Sequence, residues 1–107
     1  ILGDKLPRVV HIKAAQDALS YVRKNASSKK WNIIILDEVW NALSLKLVSE
    51  KDLLNLIPFI LSKVENLVMT GRDCPKKFIE MADLVTEMKE IKHPFNSGKL
   101  AIKGVEF

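Results

Sequence analysis

Apolar residues recur at helical spacing over residues 8–24, where Val9, Ile12, Ala15, Leu19 and Val22 fall on one face and predict a helix. Residues 25–30 are polar and Ser-containing and read as a loop. Trp31 to Leu36 is a continuous, largely β-branched run, which predicts a strand buried on both faces. The helical period returns over 39–46 and 50–63. Ser49 with Asp52 three residues on predicts a capping box, with Asp in place of the preferred Glu. Pro58 falls inside that second stretch and predicts a kink or a restart.

Asn66 to Thr70 reads as a second short buried strand, and Pro75 suits the first position of a helix reaching about Met81. Leu84 to Met88 is a third strand candidate. From His93 onward the periodicity fades: Pro94, Asn96, Ser97 and Gly98 read as a loop, and 99–107 fits helix or strand. The order α-β-α-α-β-α-β predicts an α/β fold with a parallel sheet flanked by helices.

A length of 107 residues suits one small domain, 1–107, and not two. No stretch reaches the roughly 18 apolar residues of a membrane span, so no membrane partner is expected. The first residues carry no signal-peptide pattern, and the lone Cys74 excludes an internal disulfide. Both fit a cytoplasmic protein. The chain does not begin with Met, which suggests a processed or partial product. The formal net charge is +4, but the lysines are dispersed and the aromatics are not interleaved with them. That describes a solvated surface better than a nucleic-acid patch.

Chemistry concentrates where the strands end. Ile33-Ile34-Ile35-Leu36 runs directly into Asp37-Glu38, and Leu67-Val68-Met69 runs into Thr70-Gly71-Arg72. Acids at the carboxyl end of a buried strand are placed to meet a metal-bound nucleotide, because Mg2+ takes one or two carboxylates and completes its shell with phosphate oxygens and water. The Thr-Gly-Arg end can add a hydroxyl, a tight turn and a planar cation that clamps phosphate. The plainer alternatives are a helix-capping acid on a solvated loop and a turn with a surface Arg. Lys92-His93-Pro94-Phe95 with Gly98 is a third cluster, in which His93 could be a base or ligand, although a lone His beside Pro is more often a loop anchor. Asp83 and Glu87 read as surface charges, His11 has no assigned role, and Trp31 and Trp40 suit core or interface.

Taken in order, these segments resemble the carboxyl-terminal part of the P-loop-type ATP:corrinoid adenosyltransferases. The matching text is Ile34-Ile35-Leu36-Asp37-Glu38, Thr70-Gly71-Arg72-Asp73-Cys74-Pro75, Ala82-Asp83-Leu84-Val85-Thr86-Glu87-Met88 and Ile91-Lys92-His93-Pro94-Phe95, followed by Gly98, Ala101 and Gly104-Val105-Glu106-Phe107. The resemblance implies a RecA-like P-loop nucleotide-binding fold, of which this chain would be the carboxyl-terminal part of a single domain. It implies transfer of the 5′-deoxyadenosyl group of ATP to the Co(I) of a reduced corrinoid, in cobalamin biosynthesis or salvage. Mg2+ with ATP is then the cofactor call, and the corrinoid is the second substrate. Glu38 matches the acid expected at magnesium with Asp37 beside it, and Thr70 and Arg72 match the nucleotide side. Lys92, His93, Phe95 and Gly98 match a terminal loop that serves structure or corrinoid contact. The resemblance also implies a homodimer, with a reductase as a candidate partner.

Two departures bear on these expectations. No G-x-x-x-x-G-K-[ST] segment occurs, and the four glycines stand at 3, 71, 98 and 104. Without that cradle the phosphates lose a row of backbone donors and a Lys, so this chain alone is expected to have little or no activity. Ile102 stands where the family more often carries a polar residue. The competing expectation is a non-catalytic α/β module of the same fold that binds a protein partner through an open sheet edge or its basic surface.

Overall fold

In the computed structural model, residues 6–92 are described. They form α1 (Arg8–Ser27), β1 (Ile33–Leu36), α2 (Val39–Ser44), α3 (Glu50–Leu61), β2 (Asn66–Met69) and α4 (Lys76–Met81). The chain divides into two compact units after Lys76, and the strands and first three helices belong to the first unit. No helix among the described residues is long and apolar enough to cross a membrane.

The two strands pair in parallel, with Ile33 opposite Asn66, Ile34 opposite Leu67, Ile35 opposite Val68 and Leu36 opposite Met69. A parallel pair needs a crossover, and α2 and α3 supply it. α3 packs against both α1 and β2. Leu53, Leu56 and Ile60 are fully buried at spacings of three and four residues, one stripe of one helix. Ala26 of α1, Trp40 of α2 and Val64 complete the centre of this core.

The start of α3 follows from its capping box. The Ser49 hydroxyl accepts the Asp52 N–H at 3.0 Å, and the Asp52 carboxylate accepts the Ser49 N–H at 3.1 Å. Gln16 of α1 donates to the same carboxylate at 3.2 Å, so the cap also ties the two helices together. The Ser49 N–H, and after it the Gln16 amide, hold the Asp52 carboxyl below its ordinary value of 3.8. A depressed carboxyl stabilises the fold above its unfolded pKa and loses that contribution as pH falls through the folded value. We therefore expect Ser49→Ala to cost about 1 kcal/mol at pH 7. Because the Ser49 N–H and the Gln16 amide survive that change, it should leave in place most of the loss of stability below about pH 4, which Asp52→Asn should flatten, as read by urea unfolding at a series of pH values.

Three expectations need correction. α3 continues through Pro58 without restarting, and Ser62 N–H reaches the Pro58 carbonyl at 3.0 Å. The proline is exposed while Leu56 and Ile60 on either side are buried, so packing holds the helix in register across the missing N–H. Residues 84–88 do not form a strand and are exposed, so the described sheet has two strands. Their apolar side chains have no strand partner there to repay the ordering of an extended backbone. Finally, β1 is not buried on both faces: Ile33 is 54% and Ile35 62% exposed, while Leu36 is 8%. The sheet has a covered face and a bare one.

Candidate functional site

Because β1 and β2 are parallel neighbours in register, their carboxyl ends lie side by side. The Thr70 N–H donates to the Leu36 carbonyl at 3.1 Å and extends the pairing by one residue beyond the strands. This juxtaposition brings Asp37-Glu38 and Thr70-Gly71-Arg72 together, although 31 residues separate Glu38 from Thr70 in the chain.

Thr70 joins the two ends. Its hydroxyl donates to Asp37 Oδ1 at 2.8 Å and accepts the Glu38 N–H at 2.9 Å. A hydroxyl has one proton, so in this arrangement Thr70 has none to offer a phosphate. Its effect falls on the acids. It orients one Asp37 oxygen and holds the backbone at Glu38, where the chain turns left-handed at φ 55° and ψ 28°. Such a conformation is uncommon for a residue with a Cβ. Glu38 occupies the cap position of α2, yet its side chain caps nothing, and it is exposed along with Asp37.

The Thr-Gly-Arg turn is held from the other side by Asn41. Its Oδ1 accepts the Arg72 N–H at 3.0 Å. Gly71 has φ +143°, and a Cβ there would lie 2.7 Å from Asn41 Oδ1, 2.8 Å from Trp40 Cβ and 3.0 Å from Trp40 N. Only glycine lets the turn pass this close to α2. The turn presents an exposed Arg72 at the strand end, and Asp73 follows at φ 59°.

Asn41 escapes a reading of the sequence alone, because its function is to receive an amide 31 residues away. Its one signal is a polar residue inside the otherwise apolar stretch Val39-Trp40-Asn41-Ala42-Leu43. Trp40 is core and Trp31 is 54% exposed. Cys74 is half-buried, its thiol pushed up by burial and 3.6 Å from the Pro75 carbonyl, which suits a turn residue and not a nucleophile. Asp83, Glu87 and Lys92 are exposed and lie in the second unit. His93, Phe95 and Gly98 fall outside the described residues.

Whether this end of the sheet suits a magnesium-bound nucleotide turns on its donors. Among the described residues no group of three or more His, Cys, Asp or Glu side chains could hold a metal ion. Two adjacent carboxylates, one of them oriented, fit a hard cation that draws its other ligands from phosphate and water. They do not fit a metal caged by protein alone. A separate cleft of about 730 Å³, lined by Ile12, Gln16, Leu47, Val48, Asp73 and Pro75 among others, shares none of Asp37, Glu38, Thr70 or Arg72.

The Thr70 bridge carries a direct prediction. Thr70→Val keeps the shape and removes both hydrogen bonds, which should cost about 1–2 kcal/mol in urea unfolding. Thr70→Ser retains both bonds and should recover most of that loss.

The family model described as ATP:corrinoid adenosyltransferase BtuR/CobO/CobP matches residues 3–107. A corrinoid adenosyltransferase of Sinorhizobium sp. is 33% identical over 100 residues, covering 94% of this chain and 47% of the relative. That of Escherichia coli K12 is 25% identical over 97 residues, covering 88% and 47%. That of Pseudomonas aeruginosa is 50% identical over 44 residues, covering 41% and 22%. The chain thus spans about half the length of the first two of these relatives, or less in the third. No solved structure gives a significant match.

Proposed function

The chain belongs to the ATP:corrinoid adenosyltransferase family, and from that premise we propose that it is the acid- and arginine-bearing part of such an enzyme. Its fold is then part of a RecA-like P-loop domain, completed by the phosphate loop that this sequence does not contain. The reaction is transfer of the 5′-deoxyadenosyl group from ATP to the Co(I) of a reduced corrinoid. The cobalt electron pair forms the Co–C bond as the C5′–O bond breaks, and triphosphate departs with the electrons of that bond.

The observation that carries this reading is the Asp37–Thr70 hydrogen bond of 2.8 Å, which joins the two strand ends that bear the chemistry. Glu38, with Asp37 beside it, would hold Mg2+. That ion supplies positive charge to the phosphate oxygens as the triphosphate leaves. Thr70 orients Asp37, so the carboxylate need not reorganise when charge develops. Asn41 and Gly71 set the turn that carries Arg72, whose planar fork suits two oxygens of one phosphate. A homodimer and a reductase that supplies Co(I) belong to this proposal as partners.

The test is adenosylation of a reduced corrinoid, followed by the absorbance change of the corrin. The 107-residue chain alone should be inactive, because it offers the phosphates no Gly-rich cradle. The same chain within a polypeptide of full family length should turn over with an absolute requirement for ATP and Mg2+. Lack of turnover in that longer polypeptide would sink the catalytic reading and favour the protein-binding module.

A further inference from the structure

The cleft of about 730 Å³ lies wholly within the first unit, between α1, the α2–α3 connection and the turn that follows Arg72. Its volume is that of a small-molecule site. Ile12, Leu47, Val48 and Pro75 give it apolar walls. Its charges are uneven, with Glu50, Asp52 and Asp73 set against Lys46 alone. Asp52 stays ionised, because the Ser49 N–H and the Gln16 amide hold its carboxyl low, and Lys51 outside the lining has the weakest influence on it. Among the described residues these acids form no metal cage. Lys46 and Asp73, both lining the cleft, turn left-handed at φ 59°. Such conformations persist where the surrounding structure imposes them, and they cluster at ligand sites.

Asp73 directly follows Arg72, so an occupant of the cleft sits beside the turn assigned to the phosphates. Carboxylates repel a triphosphate, so the cleft is no second seat for ATP. It suits the other reactant. A corrinoid is a largely apolar macrocycle whose fringe carries either amides or free carboxylic acids. We propose that the cleft receives the edge of the corrin ring, and that its carboxylates select corrinoids with amidated peripheral acids over those that still carry free acids. An amide is neutral and both donates and accepts. The Gln16 amide nitrogen is engaged by Asp52 at 3.2 Å, which leaves its oxygen and the Ser44 hydroxyl to meet such a fringe. A free carboxylate there gives up water and gains only like charge. The inference rests on the corrinoid reading of the function and adds to it which corrinoid is taken.

The experiment is equilibrium dialysis on this chain within a polypeptide of full family length, read by corrin absorbance. The probes are cobinamide, whose peripheral acids are amides, and cobyrinic acid, whose peripheral acids are free. Cobinamide should bind at least about tenfold more tightly at low salt. The ratio should shrink as salt rises from about 0.01 M to about 1 M. Asp73→Asn joined to Glu50→Gln should lower it to about threefold or less by admitting cobyrinic acid. Both residues are exposed, and Asn tolerates the left-handed backbone at 73, so this variant should fold. Ser44→Trp, at an exposed position lining the cleft, should weaken cobinamide at least about tenfold and leave ATP binding unchanged. Ser20→Trp, exposed on α1 outside the cleft, should change neither. Equal binding of the two corrinoids, or cobinamide binding indifferent to Ser44→Trp, overturns the inference even if adenosyl transfer proceeds. The expected discrimination without adenosyl transfer sinks the proposed reaction and leaves the cleft standing.

Discussion

Glu38→Gln and Arg72→Ala, each made in a polypeptide of full family length, should lower adenosyl transfer by about 10²–10³-fold. The two losses have different origins. Glu38→Gln keeps the size of the side chain and removes the charge that draws magnesium. Activity should then recover in part as Mg2+ is raised. Arg72→Ala removes a planar cation from the phosphate side, where added Mg2+ cannot replace its directed pair of N–H groups. Arg72→Lys should fall between wild type and Ala, because an ammonium restores charge without the fork. Among the described residues neither side chain holds the fold together. Glu38 caps nothing with its carboxylate, and Arg72 is held through its backbone N–H by Asn41. Urea unfolding of both variants should therefore stay within about 0.5 kcal/mol of the parent. Near-full turnover in both would place the metal and phosphate contacts elsewhere.

Gly71→Ala should have the largest effect on the fold of any single methyl group added at the site, roughly 2–5 kcal/mol. Two costs combine. The backbone at φ +143° is one that residues with a Cβ rarely adopt. The added carbon also meets Asn41 Oδ1 at 2.7 Å and Trp40 Cβ at 2.8 Å. The asparagine tip can move, but only by releasing the Arg72 N–H. Trp40 is 6% exposed and anchored in the core, so its Cβ cannot retreat. Joining Asn41→Ala to Gly71→Ala should therefore relieve only part of the loss, since it clears the oxygen and leaves the tryptophan. Urea midpoints for the two single variants and the double variant measure this coupling. A Gly71→Ala protein as stable as the parent would show that the turn moves freely away from α2.

The two halves of the site differed in how far they could be read beforehand. The strand ends were legible because a short apolar run that stops at two acids, or at Thr-Gly-Arg, marks its own boundary. The capping box at Ser49 and Asp52 was legible for the same reason, since both partners lie within one turn. Pro58 did not restart the helix, because local backbone rules were outweighed by burial on both sides of it. Leu84 to Met88 misled because a strand needs a neighbour, and apolar alternation does not supply one.

What the sequence determined by itself is therefore local: helices over 8–24 and 50–63, observed at 8–27 and 50–61, the cap between Ser49 and Asp52, and acids and an arginine at strand ends. These follow from interactions within a few residues, which composition and spacing encode directly. Tertiary structure alone decided which of those groups meet. Parallel register set Asp37 against Thr70, and close packing of α2 made Asn41 the holder of the Arg72 turn. It also decided that one face of a wholly apolar strand stays bare. Contacts across more than thirty residues depend on how the chain closes on itself, and that is settled by the packing of the whole core and not by any one segment.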